Sequence, residues 1–253
     1  MTKLRLLDLF SGIGGFSLGL ERSGYFETVA FCEIEPFPRR VLAKHWPSVP
    51  IYEDVRTLTA ERLAADGIGV DAICGGFPCQ DISVAGKGAG IGGPRSGLWS
   101  EYARIIGELR PRVVIVENVA ALLGRGLERV LVDLAALGFD AEWHCIPASA
   151  VGAPHRRDRL WIISYPDSHG HYRVLAPNAD IRSAKDFSWW RGRLDELGPN
   201  DGVQRDNSYS RIMRAVDGIP EWTQRLKGLG NAVVPQIPEL IGRAIGQAML
   251  EAA

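Results

Sequence analysis

The sequence predicts an α/β fold: a sheet with helices on both faces and a small irregular lobe added late in the chain. Three observations carry that prediction. Short apolar runs alternate with amphipathic stretches through the N-terminal part. A glycine-rich turn joins the first run to the first helix-like stretch, and the alternation stops near Tyr165. With 253 residues, 46% of them hydrophobic, the chain is long enough to bury a substantial core.

Taken in order, Leu4–Leu9, Val29–Cys32, Val70–Gly75 and Val113–Val116 read as buried strands, and their near-continuous apolarity suits parallel strands covered on both faces. Runs at 141–146 and 160–164 stand in line to extend the sheet. From 165 to 222 the pattern is replaced by Pro166, Pro177, Pro199 and many Asp, Asn, Ser and Gly residues, which predicts a separate lobe. Between 171 and 230 there are ten Lys/Arg against eight Asp/Glu, together with Trp189, Trp190 and Tyr209. Such a mixture suits nucleic acid, and a solvated loop region has the same composition. Residues 235–250 then predict a closing helix, with Ile237, Leu240, Ile241, Ala244, Ile245 and Ala248 on one face that returns to the sheet. The expected division is 1–164, 165–222 and 223–253.

Composition excludes more than it identifies. No apolar run reaches membrane-spanning length, and the N-terminal MTKLRLLDLF leads directly into a motif, so the expectation is a cytoplasmic protein without a membrane segment. Cys32, Cys74, Cys79 and Cys145 are scattered without CxxC pairing, which argues against a zinc site and against a disulfide framework; no metal is expected. A net charge of −1 says little about nucleic acid, because an overall balance can hide a locally positive face.

The chemistry-bearing residues lie at the carboxyl ends of the strands. In LLDLFSGIGGFSLGLE, Gly12, Gly14 and Gly15 let the backbone turn tightly and approach a ligand. The spacing is not GxGxxG, since Gly14 and Gly15 are adjacent and Ser17 occupies the last position. Glu33 ends the next strand, 21 residues after Gly12, where a carboxylate can accept both hydroxyls of a ribose. Asp54, in YEDV, ends the third strand unit, placed for an adenine edge. With no lysine-bearing phosphate loop, this set favours a nucleoside over a triphosphate and S-adenosylmethionine over NAD, although either carboxylate alone could be a solvated loop residue.

Cys79, in GGFPCQDIS, ends the fourth strand unit, and Glu117, in ENV, ends the fifth. Neighbouring strand ends in an open α/β sheet share one crevice, so a thiol and a carboxyl meet the reactive end of a nucleoside bound over the first strands. A thiolate is the competent nucleophile, and a nearby cation makes it available. In APHRRDRLWII, Arg157 and Arg159 alternate along a presumed strand and point to one face, with Leu160 and Ile162 on the other. Singly, each has an ordinary explanation as a solvated edge, a helix-cap neighbour or a small buried residue.

With these residues in place the chain resembles the DNA (cytosine-5) methyltransferase family, particularly its short bacterial and phage-borne members. The resemblance rests on DLFSGIGGF (8–16), CEIE (32–35), EDV (53–55), GGFPCQDIS (75–83), ENV (117–119), HRRDR (155–159) and GLGNAVVPQ (228–236), in family order. It implies a Rossmann-like mixed sheet of the S-adenosylmethionine-dependent methyltransferase type. Residues 1–164 would be catalytic and cofactor-binding, 165–222 a reduced target-recognition lobe, and 223–253 a segment packing back on the catalytic domain. It further implies that Cys79 attacks carbon 6 of a flipped-out cytosine so that carbon 5 can accept a methyl group from S-adenosyl-L-methionine. Glu117 would hydrogen-bond ring nitrogen 3 and the exocyclic amine, and Arg159, with Arg157 nearby, would orient and polarise the base. For the cofactor the resemblance implies Phe10, Gly12, Gly14, Gly15, Glu33, Ile34, Asp54, Val55, Pro78, Leu98 and Asn231. The segment between Ser83 and Leu98, rich in glycine and carrying Lys87 and Arg95, would fold over bound DNA.

The implied partners are double-stranded DNA and a cognate restriction endonuclease of the same system without direct binding, and the expected state is a monomer. The sequence departs from the family pattern in three places. The lobe is about sixty residues, the stretch before the asparagine motif is reduced to IPEWTQRLKGLGNA, and Ala232 stands where many relatives have serine. The competing readings are a tRNA cytosine-5 methyltransferase, a catalytically silent DNA-binding relative and an NAD-dependent dehydrogenase.

Overall fold

A computed structural model describes residues 2–78, 97–153, 155–167 and 222–251. Its centre is a seven-stranded sheet in the order β3-β2-β1-β4-β5-β7-β6. The strands are β1 (Leu4–Leu9), β2 (Phe26–Cys32), β3 (Ile51–Tyr52), β4 (Ala72–Gly75), β5 (Val113–Val119), β6 (Phe139–Pro147) and β7 (Asp158–Pro166). From β3 to β5 all pairings are parallel. The last two runs do extend the sheet, but β7 lies antiparallel to β5 and to β6, so the sheet is mixed.

Eight helices surround it among the described residues: α1 (Gly15–Arg22), α2 (Pro36–His45), α3 (Ala60–Ala65), α4 (Leu98–Leu109), α5 (Leu122–Arg125), α6 (Leu127–Ala136), α7 (Trp222–Asn231) and α8 (Gln236–Glu251). Alternation along the strands divides the core in two. Leu7, Leu9, Ile73, Val114 and Val116 face α3, α4 and α6 through Leu63, Tyr102, Ile106 and Leu134. Leu6, Cys74 and Ile115 face Phe16 and Leu20 of α1 and Ile237, Ile241 and Ile245 of α8. The predicted closing helix therefore packs on the sheet, with Leu240 partly buried against the same cluster.

Helices α1 and α8 approach closely because three glycines leave out side chains. A methyl group on Gly19, Gly242 or Gly246 would run into Pro235, Ser23 or Tyr25. β2 starts three residues earlier than expected, at Phe26, and β6 and β7 run one or two residues further at each end; two other boundaries differ for a visible reason. β4 starts at Ala72, after Asp71 has turned its carboxylate to the Arg5 side chain on β1. β5 does not stop before Glu117 but runs to Val119, because Glu117 and Asn118 pair with Trp161 and Leu160 on the antiparallel neighbour. No helix among the described residues is long and apolar enough to cross a membrane. Most of the expected lobe, with Trp189, Trp190 and Tyr209, lies outside the described residues, as do Cys79 and most of the glycine-rich segment with Lys87 and Arg95.

Candidate active site

The β1–α1 turn is built from unusual backbone. Phe10 takes φ +54°, a left-handed conformation rarely adopted by a side-chain-bearing residue, and Gly12 and Gly14 follow at +54° and +86°. The three glycines have different surroundings. A Cβ on Gly12 would meet nothing within 4 Å among the described residues, so within them this glycine borders open space. On Gly14 it would strike Trp46, and on Gly15 it would stand 2.6 Å from the Val233 carbonyl oxygen. Gly14 and Gly15 are thus required for packing inside the protein, and Gly12 faces the cleft.

Glu33, immediately after β2, is buried and closes over this turn. Its Oε2 accepts the Gly12 N–H at 2.8 Å and its Oε1 accepts the Glu35 N–H at 2.8 Å. Burial raises its pKa, and these amides, with that of Ile34, oppose the rise. Ile34 beside it is 59% exposed, an apolar side chain left open next to a buried carboxylate. Beneath the turn, Asp8 is fully buried on β1. Its Oδ2 accepts the Ser17 hydroxyl at 2.7 Å, and no N–H or O–H among the described residues reaches its other oxygen. Burial pushes its pKa up to about 7, against hydrogen bonds from Ser17 and the neighbouring Cys74 thiol.

Asp54 caps a 3₁₀ turn at Val55–Thr57. Both its oxygens already accept from Arg56, at 2.6 to 3.0 Å, through the amide and the guanidinium. That pair is largely exposed and therefore weak, so a ligand amine can compete for the carboxylate. Val55 is buried. Phe10 packs toward Tyr102 of α4, ring centroids 6.1 Å apart, and Leu98 at the start of α4 lies half-buried against the same core.

At the β5 end, Glu117 Oε1 pairs with Arg159 Nε at 2.9 Å. Burial raises the Glu117 pKa most strongly; Arg159 and then Arg157 pull it down without cancelling the rise. The other carboxyl oxygen faces Gly76, where a Cβ would come within 2.8 Å of it. Gly76 is three residues before Cys79 in the sequence and Pro78, half-buried, is one before it. Cys32 and Cys74 are buried, and burial pushes Cys32 up to about 12 and Cys74 well above the ordinary thiol value; neither is an available nucleophile.

Arg157 corrects the expectation of two arginines alternating on one strand. β7 begins only at Asp158, and Arg157 precedes it with φ +36°. Arg159 does lie on the strand, opposite Val119, on the face away from Leu160 and Ile162. The Arg157 side chain crosses to α7, where its Nη1 donates to the Gly230 carbonyl at 2.5 Å. Asn231, next in the chain, is exposed.

Two supporting residues had no role assigned from the sequence, although Asn118 stands inside ENV. Arg104 on α4 donates through Nη2 to the carbonyls of Val55 and Leu58, each at 2.9 Å, and through its other nitrogens to Glu101 and Glu108. It ties the turn carrying Val55 to the helix carrying Leu98. Asn118 is buried and donates to the Phe77 carbonyl at 3.1 Å, while its Oδ1 accepts the Val119 N–H at 2.9 Å. It holds the strand of Glu117 to the segment that leads into Cys79.

A family model described as C-5 cytosine-specific DNA methylase matches residues 4–203. The Type II methyltransferase M2.BsuMI of Bacillus subtilis is 30% identical over 251 residues, covering 96% of this chain and 57% of the relative. The Type II methyltransferase M.FnuDI of Fusobacterium nucleatum is 31% identical over 265 residues, covering 94% of this chain and 75% of the relative. This chain spans little more than half of the first of these, and 37% of M.HgiBI of Herpetosiphon aurantiacus. Among solved structures, a protein assigned as a prophage-encoded DNA modification methyltransferase of E. coli is 28% identical, with TM-score 0.58 over 70% of this chain and 51% of that one. The Spodoptera frugiperda DNMT2 superposes with TM-score 0.57 over 99% of both chains at 15% identity, which bears on the fold alone.

Proposed function

The chain belongs to the C-5 cytosine-specific DNA methylase family, and from that premise we propose that it methylates carbon 5 of a cytosine flipped out of duplex DNA, through a covalent bond to Cys79. The observation that carries this is the Glu117 carboxyl, only 12% exposed, paired with Arg159 and set against Gly76 just ahead of Cys79 in the sequence. The cleft at the other end suits S-adenosyl-L-methionine: open space at Gly12, a buried acceptor at Glu33 for ribose hydroxyls, the exposed Ile34 and the buried Val55 for a purine face, and Asp54 for its amine. Phe10, Gly14, Gly15, Pro78, Leu98 and Asn231 complete the proposed walls. When bound, S-adenosyl-L-methionine supplies an electrophilic methyl group on a sulfonium sulfur.

The chain's own residues account for the rest. Carbon 5 of cytosine is a poor nucleophile until the ring conjugation is broken. The Cys79 thiolate adds to carbon 6, forming a carbon–sulfur bond and pushing an electron pair toward carbon 5. A glutamic acid whose pKa burial has raised can donate to ring nitrogen 3 as that pair moves, while its second oxygen accepts from the exocyclic amine. Arg159 holds the carboxyl in place and balances charge as it loses its proton. After methylation, the carbon 5 proton passes to water, its bonding pair re-forms the carbon 5–carbon 6 double bond as the carbon–sulfur pair returns to the thiolate, and ring nitrogen 3 gives its proton back to Glu117. Flipping costs about a few kcal/mol of stacking, offset by the buried contacts the base gains.

The test is mass spectrometry of the protein mixed with S-adenosyl-L-methionine and duplex DNA containing 5-fluorocytosine. Fluorine cannot leave as a cation, so the cycle stops with the enzyme bonded to carbon 6. Wild type should gain the mass of the oligonucleotide and Cys79→Ser should not, though it should still bind cofactor. Adduct formation by the serine variant, or label from tritiated cofactor entering tRNA alone, would overturn the proposal. Bisulfite sequencing of DNA from expressing cells would then identify the site read.

A further inference from the structure

Arg157 shares with Phe10 a left-handed backbone, at φ +36°, but not a glycine-rich turn to explain it. It is one of three non-glycine residues with positive φ among those described, and such a conformation persists only where the surroundings hold it. Here the Ala148 N–H holds it, donating to the Arg156 carbonyl at 2.7 Å and to that of Arg157 at 3.3 Å. The strained turn aims the side chain away from β7, at the end of α7. Gly230 is the penultimate residue of that helix, where carbonyls have no intrahelical partner and the helix dipole favours a cation.

The segment that follows lies along the glycine-rich turn. Gly228 faces Ile13 and Phe37, each 3.4 to 3.5 Å from where a Cβ would stand, and the Val233 carbonyl fills the space left by Gly15. Residues 228–233 therefore touch the cofactor turn at one end and the start of α1 at the other, with Asn231 between them, and the middle is fastened from outside by Arg157. The same guanidinium lies within the electrostatic field of Glu117 and Arg159.

We propose that Arg157 is a positioning residue, a latch joining the base-pocket strand to the helix end at Gly230, so that residues 228–233 form one wall of the cofactor cleft. The proposal rests on the reading of that cleft given above, and it assigns Arg157 to the cofactor and leaves Arg159 to the base. An arginine serving only to balance charge beside Glu117 would need no left-handed turn directed at another helix.

The experiment is calorimetric binding of S-adenosylhomocysteine to the full chain without DNA, beside methyl-transfer kinetics. Arg157→Ala should weaken binding about tenfold or more, the loss expected for a charged hydrogen bond. Arg157→Lys, which keeps one charged donor, should recover most of it, and Arg159→Ala should leave affinity unchanged while transfer collapses. Should Arg157→Ala prove too unstable, Arg157→Gln retains only a neutral donor and should bind more weakly than Arg157→Lys. An unchanged dissociation constant in folded Arg157→Ala or Arg157→Gln, with only turnover reduced, would overturn the latch. Failure of the wild type to bind S-adenosylhomocysteine would instead overturn the reading of the cleft, and the latch with it.

Discussion

At the β2 end of the site a buried carboxyl, Glu33, is held by two backbone N–H groups; at the β5 end another, Glu117, is held by a guanidinium. Asp8, under the first, has a hydroxyl and no cation. Burial raises the pKa of all three. On the proposed function, the difference lies in what each must do. Neutral ribose hydroxyls need a fixed acceptor, and amides supplied by the turn itself fix one without importing charge. A group that exchanges a proton with a base needs its charge compensated during the exchange, and a partly buried arginine does that. The acceptor at the β2 end is wired through backbone amides, the one at the β5 end through a side chain.

The sharpest way to break this contrast is Glu117→Gln. It should lower the methyl-transfer rate about 10²–10³-fold, the scale seen when one transition-state donor is removed. Cofactor affinity, measured by calorimetry, should be unchanged. A comparable loss of affinity would mean the two halves are not separable. Next in size, Glu33→Ala should raise the cofactor dissociation constant by about ten- to a hundredfold, as charged hydrogen bonds are lost. The rate at saturating cofactor should change little.

The smallest effect concerns Asp8. Its folded pKa, about 7, lies above the ordinary 3.8, so the folded state holds its proton more tightly than the unfolded chain. The contribution is therefore fully present below the unfolded value and is lost as pH rises through about 7. Between pH 6 and 8 the wild type should lose about 1 kcal/mol from this group. Asp8→Asn should show less of that decline in denaturant melts at the two pH values, and an identical decline would show that Asp8 does not titrate in this window.

Much of this arrangement was legible in the sequence, because strands buried on both faces announce themselves as apolar runs and the motifs fall at their ends. Leu4–Leu9 was bounded correctly, and the closing helix with its apolar face was found. What escaped follows from interactions between distant segments. The reversal of β7 leaves no mark on periodicity, since a two-residue alternation reads the same in either direction, and the mixed sheet that the structure has was implied by the family resemblance alone. Arg157 looked like a strand residue because a left-handed arginine has no sequence signature of the kind glycine provides. Arg104 looked like a helix-surface charge, and only folding brings the carbonyls of Val55 and Leu58 to it. Ile34 and Asp54 illustrate the converse: sequence could name them, but not that one would be left exposed and the other already paired with Arg56.

The close seating of α8 on α1 through Gly19, Gly242 and Gly246 bears on how the protein is made. Chains emerge from the ribosome N-terminus first, so the first helix and its turn must wait for their covering partner until residues 236–251 have been synthesised. Until then Phe16 and Leu20 lack the aliphatic rows of Ile237, Ile241 and Ile245 that shield them. A nascent chain interrupted before α8 would carry every motif at its amino end and still present an unfinished, sticky flank. Shielding of the amino-terminal flank is thereby tied to synthesis of α8.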